Sequence, residues 1–145
     1  MAMTSNQQQE ILRLLRDKLQ SIDCDISYES RHGDFFLFRR TVNGFFRQLC
    51  LKERSTLIVY YSDEYETMRK WASDNLPQAI KSFPFLNGWR LEIGNGRPKG
   101  NRAVGFRLRN ENLATNADAW YSNREIVTNA AVELFGILGN AGLLS

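Results

Sequence analysis

The chain has 145 residues, of which 24% are charged and 43% hydrophobic, as expected for one ordinary globular domain. A domain of this length can bury enough apolar surface to fold without disulfides or a structural metal. The net charge of +3 is small, so composition alone does not indicate a nucleic-acid-binding protein. We expect a single domain over residues 1–145, with residues 1–4 disordered or left over from cloning.

The cysteines and the first residues of the chain indicate the cellular compartment that we expect for the protein. Two cysteines, Cys24 and Cys50, without a secretory leader favour buried thiols in a reducing compartment over a disulfide. Residues 1–9 are polar and do not resemble a signal peptide. No apolar stretch approaches the roughly 18 residues of a membrane span. We therefore expect a cytoplasmic protein with no membrane partner and no cofactor.

The first predicted element is an amphipathic helix over residues 5–22, with Ser5 as its N-cap. Four strands follow over residues 26–28, 35–40, 45–52 and 57–61, where the pattern changes to a period of two. Asn43-Gly44 joins the second and third strands, and this dipeptide favours a two-residue hairpin because both residues tolerate positive φ.

Helical periodicity returns after the fourth strand. We predict a helix over residues 64–73 capped by Asp63, with Pro77 kinking or restarting it near Asn75. Two more strands are predicted at residues 89–93 and 104–109, paired as a hairpin around a long loop.

A last helix is predicted to begin at the capping box Ser122-Asn123-Arg124-Glu125 and to end at Gly139. The resulting order, α-ββββ-α-ββ-α, predicts an α+β fold. We expect a single domain with a mostly antiparallel sheet of five to six strands and three helices packed mainly on one of its faces.

Residues for catalysis or metal binding are scarce in this sequence. His32 is the only histidine and falls in a predicted turn, and no Gly-x-Ser-x-Gly motif accompanies it. One histidine and two distant cysteines match no zinc-binding spacing. The carboxylates Asp63, Glu64 and Glu66 cluster at a predicted helix N-terminus, where the helix dipole favours negative charge. We therefore predict no catalytic residue and no metal ligand.

Positive charge concentrates in two windows, with +4 over residues 35–54 and +5 over residues 90–109. The second window contains a glycine-rich loop, 94–102, whose backbone N–H groups and cations are suited to gripping an anion. In residues 104–109, alternation places the apolar side chains towards the core and the arginines outward. In residues 89–93 it likewise places the apolar side chains inward and Arg90 and Glu92 outward. The predicted anion-binding residues are Arg90, Arg97, Lys99, Arg102, Arg107 and Arg109.

These features favour a non-enzymatic interaction module that binds an anionic partner such as single-stranded nucleic acid. A basic sheet face with Phe45 or Phe46 among the cations could hold such a strand by stacking and phosphate contact. The bland alternative is that exposed arginines only keep the sheet soluble.

Two other functions stay open at the level of sequence. The last helix carries small residues, including Ala130 and Ala131, and could form a homodimeric or adaptor interface. A small metal-dependent enzyme would need carboxylates such as Glu29, Asp34 and Glu92 to converge only in the fold.

Overall fold

The computed structural model describes residues 3–19, 26–53, 57–93, 104–110, 112–113 and 117–144. Six strands and four helices lie in this described part of the chain, and the strands form one antiparallel sheet. The predicted α+β fold is confirmed, with one short helix more than expected. The helices are α1 (Ser5–Lys18), α2 (Tyr65–Ser82), α3 (Ala117–Ser122) and α4 (Arg124–Asn140). The strands are β1 (Ser27–Glu29), β2 (Asp34–Val42), β3 (Phe45–Lys52), β4 (Leu57–Ser62), β5 (Arg90–Glu92) and β6 (Val104–Arg109).

The strands lie in the order β1-β2-β3-β4-β6-β5, and every neighbouring pair is antiparallel. The first four form a meander, as predicted. β6 lies beside β4, and β5 pairs with β6 at the edge of the sheet. The last hairpin therefore extends the sheet beyond β4 and not beyond β1.

The tight turn between β2 and β3 sets the register of the sheet centre. Asn43 and Gly44 have φ values of 52° and 82°, as a two-residue hairpin turn with positive φ requires. The turn places Val42 opposite Phe45 and Arg40 opposite Arg47. The predicted Asn43-Gly44 hairpin is therefore confirmed, although β2 extends two residues further towards the turn than predicted.

One face of the sheet packs against the helices and forms the main core. Phe35, Leu49, Tyr60 and Phe106 contribute from the strands, and Trp120 from α3 lies fully buried beside them. Helix α2 packs closely on β6 because Gly105 has no side chain, since a Cβ there would lie 2.9 Å from the Cβ of Met68. The helices contribute Ile11, Leu12, Leu15, Met68, Ala72, Leu76, Ile80, Val127, Ala130, Ala131, Leu134 and Leu138. No helix in the described residues is long and apolar enough to cross a membrane.

The beginning of the fold differs from the sequence prediction. Met3 is buried in the core, and Thr4, rather than Ser5, caps α1 in a capping box with Gln7. Met3 and Thr4 therefore belong to the fold, whereas residues 1 and 2 fall outside the described residues. Helix α1 ends at Lys18, and the last predicted turn, like Cys24, falls outside the described residues. Cys50 is fully buried.

The predictions around α2 were wrong in two respects. The helix does not restart near Asn75 but continues through Pro77 to Ser82. Pro77 and Ser73, the residue whose carbonyl loses its N–H partner, both lie on the exposed side of α2. Asp63 does not cap the helix. Its carboxylate instead accepts a hydrogen bond from the Phe46 N–H at 3.1 Å, while the Ser62 hydroxyl accepts from the Glu64 N–H.

The ends of α4 also differ from the prediction. Ser122 is the last residue of α3, so the predicted capping box does not form. Helix α4 continues past Gly139, because the left-handed residue that closes it is Gly142 at φ 76°. The Leu143 N–H then donates to the Leu138 carbonyl at 2.9 Å, which is the bond of a Schellman motif.

Candidate anion-binding site

The second face of the sheet carries its own small apolar cluster. Phe36, Cys50, Val59 and Tyr61 form it, and all four are buried although only strand residues belong to the cluster. No described helix residue packs on this side, so we call it the helix-free face. Adjacent strands place Phe36, Cys50 and Val59 in one row across the sheet.

Long polar side chains cover part of this cluster. The guanidinium of Arg39 lies 3.6 Å from the centre of the Phe36 ring, and the Lys52 ammonium lies 5.4 Å from that of Tyr61. Lys52 forms an ion pair with the fully buried Asp34. Burial opposes the charge on Lys52, but the hydrogen bonds to Asp34 and Tyr61 outweigh it and raise the Lys52 pKa.

Three arginines converge on one carboxylate at the β5–β6 edge of this face. Arg109 Nε donates to Glu92 Oε2 at 3.0 Å, and Arg90 Nη2 donates to the same oxygen at 3.1 Å. Arg107 Nε lies 3.9 Å from the other carboxylate oxygen, Oε1. Each arginine side chain remains between 32% and 61% exposed, so none is sealed inside the protein. We call these three residues, with Glu92, the arginine cluster.

Strand register creates the arginine cluster. Alternation puts Arg107 and Arg109 on one side of β6, and the antiparallel pairing places Glu92 opposite Arg107 and Arg90 opposite Arg109. Two like charges directly across a strand pair destabilise a sheet. Glu92 relieves this repulsion only partly, because one carboxylate serves three cations.

The electrostatics of Glu92 reflect the surrounding positive charge. Burial alone would raise the pKa of Glu92, but hydrogen bonds from Arg109 and Arg90 and the charge of Arg107 lower it below the usual range. Arg107 Nε is buried yet has no acceptor, and Glu92 Oε1 has no donor. A buried N–H without an acceptor is costly, so this contact of Arg107 with Glu92 is weaker than those of Arg90 and Arg109.

The described residues of the helix-free face carry a net positive charge. Arg39 pairs with Glu29 at 3.4 Å, and Lys52 pairs with Asp34, so these four charges cancel. The arginine cluster contributes three cations and one anion, which leaves a charge of +2. Among the charges counted here, all on described residues, the excess therefore lies at the arginine cluster.

The predicted anion site is only partly within the described residues. Arg90, Arg107 and Arg109 share one face, as parity predicted. The loop 94–102, with Arg97, Lys99 and Arg102, lies outside the described residues.

One residue in this region was placed on the wrong face. A register shift pairs Tyr60 with Phe106 and Tyr61 with Val104, so Gly105 forms a bulge and Val104 turns to the helix-free face. From Phe106 onward the side chains of β6 alternate regularly. The predicted face of Arg107 and Arg109 is therefore correct, because both lie after the bulge.

Aromatic side chains offer little stacking surface on this face. Phe36 and Tyr61 are at most 8% exposed, and the Phe36 ring is already covered by Arg39. Phe46 is half-buried on the helix-free face, whereas Phe45 is exposed on the opposite side at the hairpin tip. Phosphate contact, rather than base stacking, is what this arrangement can provide.

The residues considered for other chemistry do not converge. His32 lies in an exposed turn, with its Nε2 atom 3.5 Å from a Glu29 carboxylate oxygen. Glu29 and Asp34 are cross-strand neighbours, but Glu92 is at the far edge of the sheet, roughly 24 Å from Glu29 at the usual strand spacing. Within the described residues, no group of three or more potential ligands could hold a metal ion.

The C-terminal helix uses its small residues internally. Ala130 and Ala131 are fully buried in the protein's own core. Gly136 and Gly139 are exposed and have open space around them, and Ile126 is 40% exposed. The part of α4 that could meet a second copy is therefore smaller than the sequence suggested.

Comparison with protein-family models, with curated proteins and with solved structures finds no match to this chain. The fold and the arginine cluster define an α+β domain with a cationic edge on its helix-free face. Its function is therefore argued from these residues alone.

Proposed function

We propose that this protein is a non-enzymatic interaction module that binds an anionic partner, such as single-stranded nucleic acid, through the arginine cluster. The observation that carries the proposal is the convergence of Arg90, Arg107 and Arg109 on the single carboxylate of Glu92. Among the described residues the cluster sums to a charge of +2, and a phosphate oxygen could accept hydrogen bonds from the exposed parts of these guanidinium groups, whose side chains are 32% to 61% exposed.

The buried aromatic rings of this face make the proposed binding electrostatic and independent of base identity. Three arginine–phosphate contacts on a single strand correspond to a slope of about −2 in log affinity against log salt. The affinity should then fall roughly tenfold to twentyfold between about 50 and 200 mM salt. A polyanion without bases, such as polyphosphate, should compete.

The test is a fluorescence anisotropy titration of the full chain with labelled oligothymidylate at low and at physiological salt. Replacing Arg107 or Arg109 by alanine should weaken binding, and it should reduce the salt slope by about 0.7 because one arginine–phosphate pair no longer forms. Arg13→Ala is the matched control, because Arg13 is an exposed arginine on α1, on the other side of the sheet.

The Glu92→Gln variant tests the same site, because here the affinity for the oligonucleotide is expected to increase. The substitution removes the only carboxylate of the arginine cluster, so the affinity for the oligonucleotide should rise. Circular dichroism would show that each variant is folded. The proposal is wrong if the wild-type protein does not bind at low salt, or if the arginine variants bind like Arg13→Ala.

A further inference from the structure

The tip of the β2–β3 hairpin carries a second cationic feature, on the helix-covered side of the sheet. Arg40 and Arg47 are cross-strand partners there, and Val42 and Phe45 form the next pair on the same side. Facing like charges destabilise a strand pair, so the two arginines need a nearby anion.

The protein supplies that anion only in part. Arg47 contacts Glu64 Oε1 at 3.5 Å and the Gly142 carbonyl at 3.4 Å, and both distances are at the long limit for a hydrogen bond. Arg40 is exposed, and no carboxylate of the described residues forms an ion pair with it. The charged residues that line the cavity at this tip are two arginines and Glu64, and a second carboxylate, that of Asp63, lies beside them on the Phe46 N–H.

Apolar side chains lie directly beside these cations. Val42 and Phe45 are 41% and 55% exposed, and they are two of the four large hydrophobic side chains that the described residues expose. A pair of adjacent exposed apolar side chains is more typical of a contact surface than isolated ones are. A cavity of about 250 Å³ lies at this tip, lined by Arg40, Val42, Asn43, Phe45, Arg47 and Glu64.

The size of this cavity indicates the kind of occupant. Sites for whole small molecules and cofactors are typically about 300–1,000 Å³, so this cavity is below that range. It has room for one or two side chains of a peptide. A carboxylate is the complement of two neighbouring guanidinium groups, and an aliphatic or aromatic side chain is the complement of Val42 and Phe45.

We propose that this cavity, the hairpin pocket, docks an acidic–apolar peptide segment of a protein partner. A carboxylate of the peptide bridges Arg40 and Arg47, while an adjacent apolar side chain packs against Val42 and Phe45. The hairpin pocket and the arginine cluster lie on opposite faces of the sheet, so this proposal does not depend on the function proposed above.

The test begins with a selection from a random dodecapeptide phage library on the full chain. Enriched sequences should share an Asp or Glu next to a Leu, Ile, Phe or Trp. The selected peptides, labelled with fluorescein, should then bind Arg40→Glu and Phe45→Ser about tenfold more weakly than the wild-type protein. Both side chains are exposed, so these variants should fold.

Two control variants distinguish binding at the hairpin pocket from general effects of surface charge and hydrophobicity. Arg13→Glu reverses the charge of an exposed arginine on α1, away from the pocket. Phe85→Ser removes a phenylalanine that is 37% exposed and does not line the pocket. Both should bind the peptides like the wild type. The proposal is overturned if no peptide is enriched, if the enriched peptides lack acidic residues, or if they bind the pocket variants unchanged. It is also overturned if Phe45→Ser abolishes self-association or oligonucleotide binding, since another occupant would then use this surface.

Discussion

Glu53 should be the most sensitive polar residue outside the proposed binding sites. It lies just after β3 and is 1% exposed, and its carboxylate links the start of α1 to the edge of the sheet. Glu53 Oε1 accepts the Met3 N–H at 2.7 Å, and Oε2 accepts the Tyr28 hydroxyl and, at 3.4 Å, the Gln8 side-chain amide. Glu53→Ala would remove the acceptor of the Met3 N–H and of the Tyr28 hydroxyl, whereas the Gln8 amide keeps the Met3 carbonyl and the Tyr28 oxygen as acceptors.

The expected cost follows from that geometry. A buried donor deprived of its acceptor costs about 1–3 kcal/mol, and the Met3 N–H and the Tyr28 hydroxyl are the two donors closest to Glu53. With the lost packing of the side chain, we expect a loss of about 3–5 kcal/mol in the free energy of unfolding. A domain has only about 5–15 kcal/mol in total. The melting temperature should fall by roughly 6–20 °C.

Urea denaturation followed by circular dichroism measures this change. Glu66→Ala is the control, because Glu66 is an exposed carboxylate in the first turn of α2, and its loss should leave stability within about 0.5 kcal/mol. A loss below about 1 kcal/mol for Glu53→Ala would show that these hydrogen bonds do not hold α1 to the sheet.

Three further predictions concern the fold. Gly105→Ala should destabilise the protein by about 1–3 kcal/mol in urea, because its Cβ would collide with Met68; an unchanged midpoint would argue against the close packing of α2 on β6. Thr4→Ala should lower the free energy of unfolding by about 1 kcal/mol, and Ser122→Ala should leave it almost unchanged. A larger loss for Ser122→Ala than for Thr4→Ala would indicate that Ser122, as the sequence predicted, caps the last helix. Burial raises the pKa of Tyr60 to about 12, so the stability from its protonated hydroxyl should persist below pH 10.0 and be lost as pH rises towards 12. Tyr60→Phe should remove that part of the alkaline loss in denaturation curves measured across this range.

Sequence patterns predicted the elements of the sheet because its strands are rich in β-branched and aromatic residues and end at turn residues, although β2 begins with four buried residues in a row. The Asn43-Gly44 turn even fixes the register, since a two-residue loop places Arg40 opposite Arg47. That signal could have revealed the hairpin pocket before the structure was known. Cross-strand register also brings Arg90, Arg107 and Arg109 to one edge, as parity indicated for their face.

Local signals failed where tertiary contacts outweigh them. Asn123 donates to the Leu113 and Ala119 carbonyls, so its side chain holds the α3–α4 junction instead of supporting a cap at Ser122. Val104 changed faces because Gly105 adds a bulge, and the reason for the bulge is the packing of α2 on β6. Neither a helix–sheet contact nor a junction between helices leaves a periodic trace in the sequence.

The arginine cluster is most directly tested by observing its own nitrogen atoms. In a ¹⁵N–¹H spectrum of arginine side chains, addition of oligothymidylate should shift the Nε–H signals of Arg107 and Arg109 in a saturable manner. The signal of Arg13 should not move. Saturable shifts confined to other arginines, or no shift at low salt, would contradict the claim that an anion binds where three guanidinium groups share the carboxylate of Glu92.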